Sequence, residues 1–526
     1  MRWVTSFLSV LFLSQCQFQV EKNSQELVSR ISLEPDVLNP ILSTAASEME
    51  IESFLFDSLL KTDNTTLEFQ PNLAEAWEIS SDQKQFTFHL RKDVLWHDGR
   101  PFTAEDVLFT FEKIQDPKVD SAMTRSYFKD VLKVEKEDDF TVRFLYRYPY
   151  FKAIHMLGGF QPLPKHLFQD EKVDFNQHSF SRAPIGTGPY RFKEWKTGRS
   201  ILLERNESYW GEKPDIQQLS FKIIPEPAVA LQLLKKGELD VLELNGLQWA
   251  RQTDTPAFRK SYQKHRIDSP AGGYGYIGWN LRKPIFQDRK VRQAMAYLID
   301  QQAIIDKLLF GLGRVTTGPV SSATDGYDHT LPLKPFDPEQ AKRLLKESGW
   351  EDHDGDGWLD KKGEKFQFNL LFPSGSNFYE KFAPIFYENL KQVGIDVHLQ
   401  RMEWVAFIRE AEQRKYDAMI GGWSGGWPPE FYQIWHSSQS DQGSNHVGYK
   451  NSEVDRLLVE ARREFDQSKR DAIHRKIHRI IYEDQPYLFL FETPSLVARH
   501  RRFQNVIEYK MGLDVKEWRV NASLPD

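Results

Sequence analysis

The chain has 526 residues and a mass of 61.6 kDa, with 40% hydrophobic and 27% charged residues, an apolar content that suits large cores and excludes a mainly disordered chain. A net charge of −6 supplies no basic field for nucleic acid, and no apolar run reaches the roughly 20 residues that span a bilayer. One cysteine excludes an internal disulfide framework and any multi-cysteine metal site.

The first 16 residues have the pattern of a secretory signal peptide. Arg2 provides a positive start, residues 4–13 are mostly apolar, and the segment ends Leu-Ser-X-Cys at Cys16. This ending resembles a bacterial lipoprotein cleavage site, in which the cysteine is acylated and becomes the first mature residue. Gln15 departs from the glycine or alanine expected there. We predict lipidation at Cys16; an ordinary signal peptide with an incidental cysteine, or a buried apolar helix, is the alternative.

Predicted strands and helices then alternate to the end of the chain, a pattern typical of mixed α/β architecture. The capping box at Thr103 and Asp106 predicts a helix start. Asp337 and Pro338 predict another, which Gly349 ends. We predict strands at 26–31, 85–91, 141–146, 190–195, 201–205, 219–224, 274–280, 366–372, 395–400, 416–421 and 487–491, and helices at 47–60, from 103, and at 227–236, 291–309, 337–348, 379–392, 404–413, 451–464 and 469–483.

Six groups of short motifs are spread over nearly the whole mature chain. They are 71–77 with 86–91, 96–99 and 101–107; 186–190 with 204–206 and 209–210; 237–240; 286–294 with 299–300; 337–338 with 341–349; and 393–397. In this order they resemble the bacterial extracellular solute-binding proteins of family 5, which serve ABC-type uptake of peptides and nickel.

The resemblance implies a two-lobed α/β clamp of the periplasmic-binding-protein type (type II-like, cluster C) that closes on its ligand and carries an extra inserted domain. Hinge crossings are expected near Pro270–Gly273 and Thr493–Ser495, where glycine and proline suit the changes in φ and ψ that a hinge absorbs. Carried over to this chain, one lobe comprises residues 27–70, 187–272 and 495–526, the inserted domain residues 71–186, and the other lobe residues 273–494.

A glycine-rich segment, residues 421–429, is the sharpest candidate for a binding site. Its glycines let a ligand approach the backbone closely, and its two tryptophans offer stacking walls. A loop with both indoles in the core is the alternative. In the family, the loop after this strand lines the cleft, so the resemblance implies ligand contacts at Trp423, Ser424, Gly425, Gly426 and Trp427.

The same loop departs from the family's peptide-binding members, which usually carry an aspartate that pairs with the ligand's amino group. Gly426 aligns with that aspartate, and Glu430 lies four residues on, out of register. Burying an ammonium without a charge partner is costly. A neutral or anionic ligand, or a peptide held by backbone contacts, therefore stays open.

Residues 422–426 also match G-x-S-x-G, the pattern of a hydrolase nucleophile elbow, with Ser424 as nucleophile and Asp455 and His474 downstream. The double proline at 428–429 interrupts the helix that such an elbow needs. Both partner residues fall on ordinary amphipathic helices. We therefore predict a non-enzymatic protein, with a secreted serine hydrolase as the remote alternative.

Two further segments are candidates for ligand contact. Tyr274, Tyr276 and Asn280 lie on a strand that leaves the expected hinge, so that one of its faces looks into the cleft; core packing explains them nearly as well. Ser43 and Thr44 precede a predicted helix, whose N-terminus suits a ligand.

An acidic turn resembles a calcium-binding loop. Asp352, Asp354, Asp356 and Asp360 match positions 1, 3, 5 and 9 of such a loop. Position 12 is Gly363, so the bidentate carboxylate is missing. A solvated turn is the alternative, and a bound calcium ion would be structural. No other cofactor is expected.

Together, these patterns predict a membrane-anchored, extracytoplasmic lipoprotein. It would capture a peptide or peptide-like solute by hinge closure and deliver it to an ABC permease. We expect a monomer with no nucleic-acid partner. The alternative is the same clamp with an oligosaccharide or a metal chelate as its ligand.

Overall fold

The computed structural model describes residues 25–170 and 172–521, so the predicted signal peptide and Cys16 lie outside the described residues. Strands and helices are interleaved through this part of the chain in a mixed α/β arrangement. Within it, no helix has both the length and the apolar composition needed to cross a bilayer.

The N-terminal strand joins a sheet formed mainly by much later residues. Glu26–Ile31 pairs in parallel with Gln218–Ile223, which continues into the hairpin of Ser200–Arg205 and Tyr190–Lys196. A three-stranded sheet lies beside it and contains Val241–Glu243, Ser495–His500 and Tyr262–Ile267.

A buried ion pair ties these two sheets together. The Asp240 carboxylate accepts hydrogen bonds from the Val28 amide at 2.8 Å and from Arg502 at 2.8 and 2.9 Å. Asp240 and Arg502 are both buried. Because an unpaired charge at such a site is strongly unfavourable, this pair holds the returning C-terminal segment against the first strand.

A separate four-stranded sheet lies between the first strand and the hairpin in sequence. It contains Ala74–Ile79, Gln85–Leu90, Thr141–Tyr146 and Val131–Asp138. Helix Ala104–Gln115 packs against it and begins with the predicted capping box, in which the Asp106 carboxylate accepts a hydrogen bond from the Thr103 amide at 2.9 Å.

The largest sheet has six strands and lies between two cores. Neighbouring residues of its central strand point in opposite directions: Ile277 packs into one core and Tyr276 into the other. Met419 and Ile420 divide in the same way. The strand order is Arg314–Val315, Tyr487–Glu492, Tyr274–Trp279, Ala418–Trp423, Gln367–Pro373, Asp396–Met402.

The chain crosses between the three-stranded and six-stranded sheets twice, side by side. One antiparallel pair ends at Ile267 opposite Ser495, and the next begins at Tyr274 opposite Glu492. Only Thr493 and Pro494 separate the strands of the second crossing. Both crossings fall where the family resemblance places the hinge; the domain boundaries themselves stay a prediction.

Two predicted helices were wrong in extent. The first ends at Leu55, because Phe56 is extended (φ −121°, ψ 132°) and Leu60 begins a strand. The predicted helix over 291–309 is two helices, because Asp300 leaves the helical path and its side chain accepts a hydrogen bond from the Ala303 amide, starting a new helix.

The helix predicted from Asp337 is confirmed. The Asp337 side chain accepts a hydrogen bond from the Gln340 amide at 2.9 Å, and Gly349 has a φ of +80°. The α-helices are Ala46–Leu55, Ala104–Gln115, Ala122–Tyr127, Ala153–Gly158, Pro227–Lys235, Pro256–Ser261, Pro284–Gln287, Arg289–Ala296, Gln301–Leu308, Pro338–Glu347, Asn377–Lys391, Trp404–Glu412, Tyr432–Trp435, Ser452–Arg463 and Gln467–Asp484.

Candidate functional site

A cavity of about 730 Å³ opens where the central strand of the six-stranded sheet leaves the crossing. Three elements form its walls: the start of strand Tyr274–Trp279, the end of strand Ala418–Trp423 with the loop that follows, and helix Trp404–Glu412. Its lining side chains include Tyr274, Tyr276, Tyr379, Trp404, Phe407, Ile408, Glu412, Met419, Trp423, Ser424, Ser444, His446, Phe491 and Thr493.

Stacked rings form the floor of the cavity. The Tyr276 ring lies 3.9 Å from that of Tyr487 and 6.4 Å from that of Trp423, with planes tilted by 6° and 11°. The Trp423 indole N–H donates a hydrogen bond to the Tyr487 hydroxyl at 3.2 Å. Burial raises the pKa of Tyr487 to about 12, so its hydroxyl stays protonated. The Trp423 indole is therefore held in place before any ligand arrives.

Two glycines let the loop after Trp423 approach the crossing. A Cβ on Gly273 would lie 2.0 Å from the Trp423 carbonyl oxygen. A Cβ on Gly425 would lie 2.3 Å from the carbonyl oxygens of both Ala271 and Gly272. Any side chain at either position would separate the cavity loop from the crossing.

Helix Trp404–Glu412 is the part of the site that sequence reasoning missed. Trp404, Phe407, Ile408, Ala411 and Glu412 follow helical spacing and all line the cavity. The Trp404 side chain is 56% exposed. Exposed aromatic surface of this kind is typical of sites that bind a ligand or another protein. The apolar stripe of this helix was visible in the sequence, but nothing there indicated that it faces a cavity rather than a core.

The cavity has little charge. Among the described residues that line it, Glu412 is the single carboxylate, and none is lysine or arginine. Burial, with a smaller contribution from Arg414, lowers the pKa of His446 below its usual value, so the imidazole is neutral at pH 7. The cavity is suited to apolar and aromatic groups of a ligand, and Glu412 is the one carboxylate among its described lining residues.

Five of the ten predicted ligand contacts lie together around this cavity. They are Tyr274, Tyr276, Trp423, Ser424 and Gly425. Gly426 and Trp427 follow in the same loop but do not line the cavity. A Cβ placed on Gly426 would meet no atom of a non-adjacent residue within 4 Å. Ligand contact at all seven positions stays a prediction.

Asn280 does not face the cavity. It is 1% exposed, and its amide donates hydrogen bonds to the carbonyl oxygens of Tyr416 at 2.8 Å and Arg414 at 3.2 Å. The strand ends at Trp279, so the predicted alternation stops one residue before Asn280. Its bonds fasten the strand end to its neighbour, which is a structural role.

Ser43 and Thr44 also lie outside the cavity, and their polar groups bind nearby glutamates. The buried Ser43 hydroxyl donates to the Glu52 carboxylate at 2.5 Å, and the Thr44 amide donates to Glu48 at 2.7 Å. The Ala45 amide also donates to Glu48. The carboxylate of Glu48 therefore occupies the position that was predicted for a ligand at this helix N-terminus.

The hydrolase alternative has no supporting geometry. Ser424 shares no hydrogen bond with Asp455 or His474 among the described residues. Asp455 instead accepts hydrogen bonds from the amide and hydroxyl of Ser437, and His474 is buried against the ring of Phe431. Neither partner that this motif would use is therefore in hydrogen-bond contact with Ser424 among the described residues.

The acidic turn brings three of its four aspartates together. Carboxylate oxygens of Asp352, Asp354 and Asp356 lie within 4.8 Å of one another and are exposed. Asp360 is not in that group and accepts hydrogen bonds from His353 instead. The Asp352 oxygens already accept two backbone amides of the turn, so calcium binding stays a prediction.

Comparisons with known proteins agree with this architecture. The family model for bacterial extracellular solute-binding proteins, family 5 (middle), matches residues 68–445. The oligopeptide-binding protein AppA of Bacillus subtilis is 34% identical over 512 residues, 93% of this chain and 92% of that protein.

Solved structures share the fold over almost the whole chain. AppA from Bacillus subtilis in complex with a nonapeptide has a TM-score of 0.77 at 31% identity, over 94% of this chain and 98% of its own. NikZ from Campylobacter jejuni in complex with Ni(L-His) has a TM-score of 0.78 at 27% identity, over 95% and 100%. The predicted two-lobed α/β clamp is confirmed.

Proposed function

The chain belongs to the bacterial extracellular solute-binding proteins of family 5, and from that premise we propose that it captures a peptide or peptide-like solute and delivers it to an ABC permease. The observation that carries this proposal is the position of the aromatic cavity beside the paired crossings. A solute that fills the cavity touches the segments about which the two lobes would rotate.

Closure follows from differential affinity. A ligand shifts the clamp toward the closed state only as far as it binds that state more tightly than the open one. Residues 268–273 and 493–494 link the two sheets and would absorb the rotation. Because the Trp423 indole is already held in place, it would present the same surface to the ligand in the open and the closed clamp. Binding would then lose little side-chain entropy at this position.

The contact that would accompany closure joins residue 151 to helix Ser452–Arg463. The Phe151 amide donates a hydrogen bond to the Arg462 carbonyl at 2.9 Å. The Arg462 guanidinium lies 4.5 Å from the ring centre of Tyr150 and 4.5 Å from that of Tyr432. In the proposed mechanism this contact forms as the lobes approach and adds to the stability of the closed state.

The proposal includes a lipid tether at Cys16, which would keep the protein near its permease at the membrane surface. Its support is the position of the chain's only cysteine at the end of a signal-like segment. One acyl chain binds a membrane only marginally, so stable anchoring needs the several chains of a lipoprotein modification.

A thermal-shift screen of the mature protein tests the binding proposal. The panel contains peptides of two to nine residues, oligosaccharides, and nickel or iron chelates, each tested on the wild type and on Trp423→Ala. A peptide at 100 times its Kd adds about 2.7 kcal/mol of stability. For a 526-residue chain this raises Tm by about 2–3 °C. Trp423→Ala should lose that shift, and stabilisation by chelates or sugars with none by peptides would overturn the peptide proposal.

A metal chelate is the second candidate ligand. It is favoured by His446, a neutral imidazole that lines the cavity. In the same screen, His446→Ala distinguishes the two ligands. It should abolish a shift caused by a chelate and leave one caused by a peptide.

A further inference from the structure

Glu412 is the last residue of the helix that lines the cavity, and its carboxylate forms no ion pair with a residue that the structure describes. No cation of the described residues lies within 4 Å of it, and it accepts no side-chain hydrogen bond from them. Glu380, by contrast, accepts a hydrogen bond from Arg401 at 2.7 Å, and Glu403 caps its own helix. Glu412 is therefore an anionic group at the cavity that the fold leaves open.

Two arginines in this region, Arg414 and Arg282, donate hydrogen bonds to backbone carbonyl oxygens. Arg414 donates to the carbonyl oxygens of Ala411, Ser440 and Gly443, and to the backbone oxygen of Glu412 rather than its carboxylate. Arg282 donates to the carbonyl oxygens of Ser440 and His446. Neither guanidinium lines the cavity, so a ligand inside it meets Glu412 as the only charged side chain among the described lining residues.

The rings that line the same cavity favour a positive charge as well. Trp404 and Phe407 lie on the same helix with ring centres 5.9 Å apart, and Trp423 also lines the cavity. Aromatic faces carry partial negative charge and attract ammonium and guanidinium groups, most strongly where water is excluded. A cavity lined by one carboxylate and several rings suits a cation and disfavours an anion.

The loop after Trp423 offers no competing carboxylate. Gly425 has no room for a side chain, because the carbonyl oxygens of Ala271 and Gly272 lie 2.3 Å from its Cβ position. Gly426 is open but bears no side chain. A cationic group that enters this cavity has Glu412 as its available carboxylate among the lining residues.

We infer that the cavity selects ligands with a cationic group, an ammonium or a guanidinium, and that Glu412 is its charge partner. The inference rests on the proposed function and makes it more specific, because it moves recognition of the ligand's positive charge from the loop to the helix. Peptides with a free amino terminus or a basic side chain would bind; their neutral isosteres would bind more weakly.

A peptide-retention experiment tests the inference. The mature protein, freed of bound solute by unfolding and refolding, is mixed with a synthetic pool of C-terminally amidated peptides of two to nine residues. Each sequence is present with lysine or norleucine at one position, and with a free or an acetylated amino terminus. Unbound peptide is removed by gel filtration, and retained peptide is counted by mass spectrometry. The variants are Glu412→Gln, Glu412→Ala and the control Glu410→Gln, which removes the same charge from the same helix outside the cavity lining.

The wild type and Glu410→Gln should retain cationic forms at least ten-fold over the doubly neutral form. Both Glu412 variants should reduce that ratio to about two-fold or less while still retaining peptide. If the Glu412 variants keep the wild-type ratio, or the wild type retains neutral forms equally well, the inference fails and the proposed function stands. If the wild type retains no peptide in any form, the proposed function fails and the inference with it.

Discussion

The contact between Arg462 and the Tyr150 ring provides a quantitative test of clamp closure. Arg462 is only 16% exposed, and its guanidinium contacts two rings and lies 3.9 Å from the Glu430 carboxylate. Burial lowers the pKa of Arg462, but Glu430 and Tyr150 raise it more, so the net shift is upward and the guanidinium is charged. Each cation–π contact at a part-buried site contributes about 1 kcal/mol.

Arg462→Met keeps most of the aliphatic volume and removes the charge. The contact with the Tyr150 ring is the part that joins the inserted domain to the other lobe, and its loss costs the closed state about 1 kcal/mol. Tyr432 and Glu430 lie in the same predicted lobe as Arg462, so the loss of those contacts costs both states alike. If the Tyr150 contact forms only on closure, that cost appears as roughly five-fold weaker binding. Arg463→Met is the matched control, since Arg463 is exposed on the same helix.

The assay is calorimetric titration of both variants with a peptide retained by the wild type, together with their unfolding midpoints. Weaker binding in Arg462→Met alone supports the account. If Arg462→Met instead lowers Tm and leaves Kd unchanged, the contact is permanent rather than part of closure. Equal Kd and equal Tm in both variants would refute the energetic reasoning altogether.

Three other perturbations have defined outcomes. Gly425→Ala should weaken peptide binding ten-fold or more and cost about 1–3 kcal/mol of stability, because its Cβ would lie 2.3 Å from two carbonyl oxygens; a denaturant titration with unchanged midpoint contradicts this. Cys16→Ser should release the protein from the membrane fraction; a variant that stays membrane-bound rules out the tether. Burial and nearby Arg470 lower the pKa of His474 to about 3, so the unfolded chain takes up its proton first as pH falls below about 6.5. Stability should therefore fall by about 1 kcal/mol from this group between pH 7.5 and 5.5, and His474→Gln should flatten the decline in Tm; an unchanged pH profile contradicts the assignment.

Local signals predicted much of the secondary structure. The cap at Asp337 and the stop at Gly349 need only neighbouring residues, so the sequence contains all that decides them. The break before Asp300 was missed because the hydrophobic pattern continues through buried Leu298 and Ile299, which lie in the connection between the helix that ends at Ala296 and the helix that Asp300 caps.

The site was predicted in part, for a physical reason. Trp423 and Tyr276 carry their own signal, a glycine-rich loop and an aromatic strand. Trp404 and Glu412 lie on a helix whose apolar stripe has the same spacing as that of a helix facing a core. Whether the stripe faces a cavity or a core depends on long-range packing, which the local sequence does not contain. Asn280 was misplaced because a strand one residue shorter changes what its last residue faces.

The most direct test of the account is the distance between the lobes with and without ligand. Spin labels at Arg199→Cys in the hairpin and Gln392→Cys beside the six-stranded sheet, both exposed positions, report that distance by pulsed electron resonance in the mature chain with Cys16 replaced by serine. A saturating peptide taken from the retention experiment should shift the distribution to one shorter distance, and Trp423→Ala should prevent the shift. An unchanged distribution in a protein that binds the peptide would contradict capture by closure.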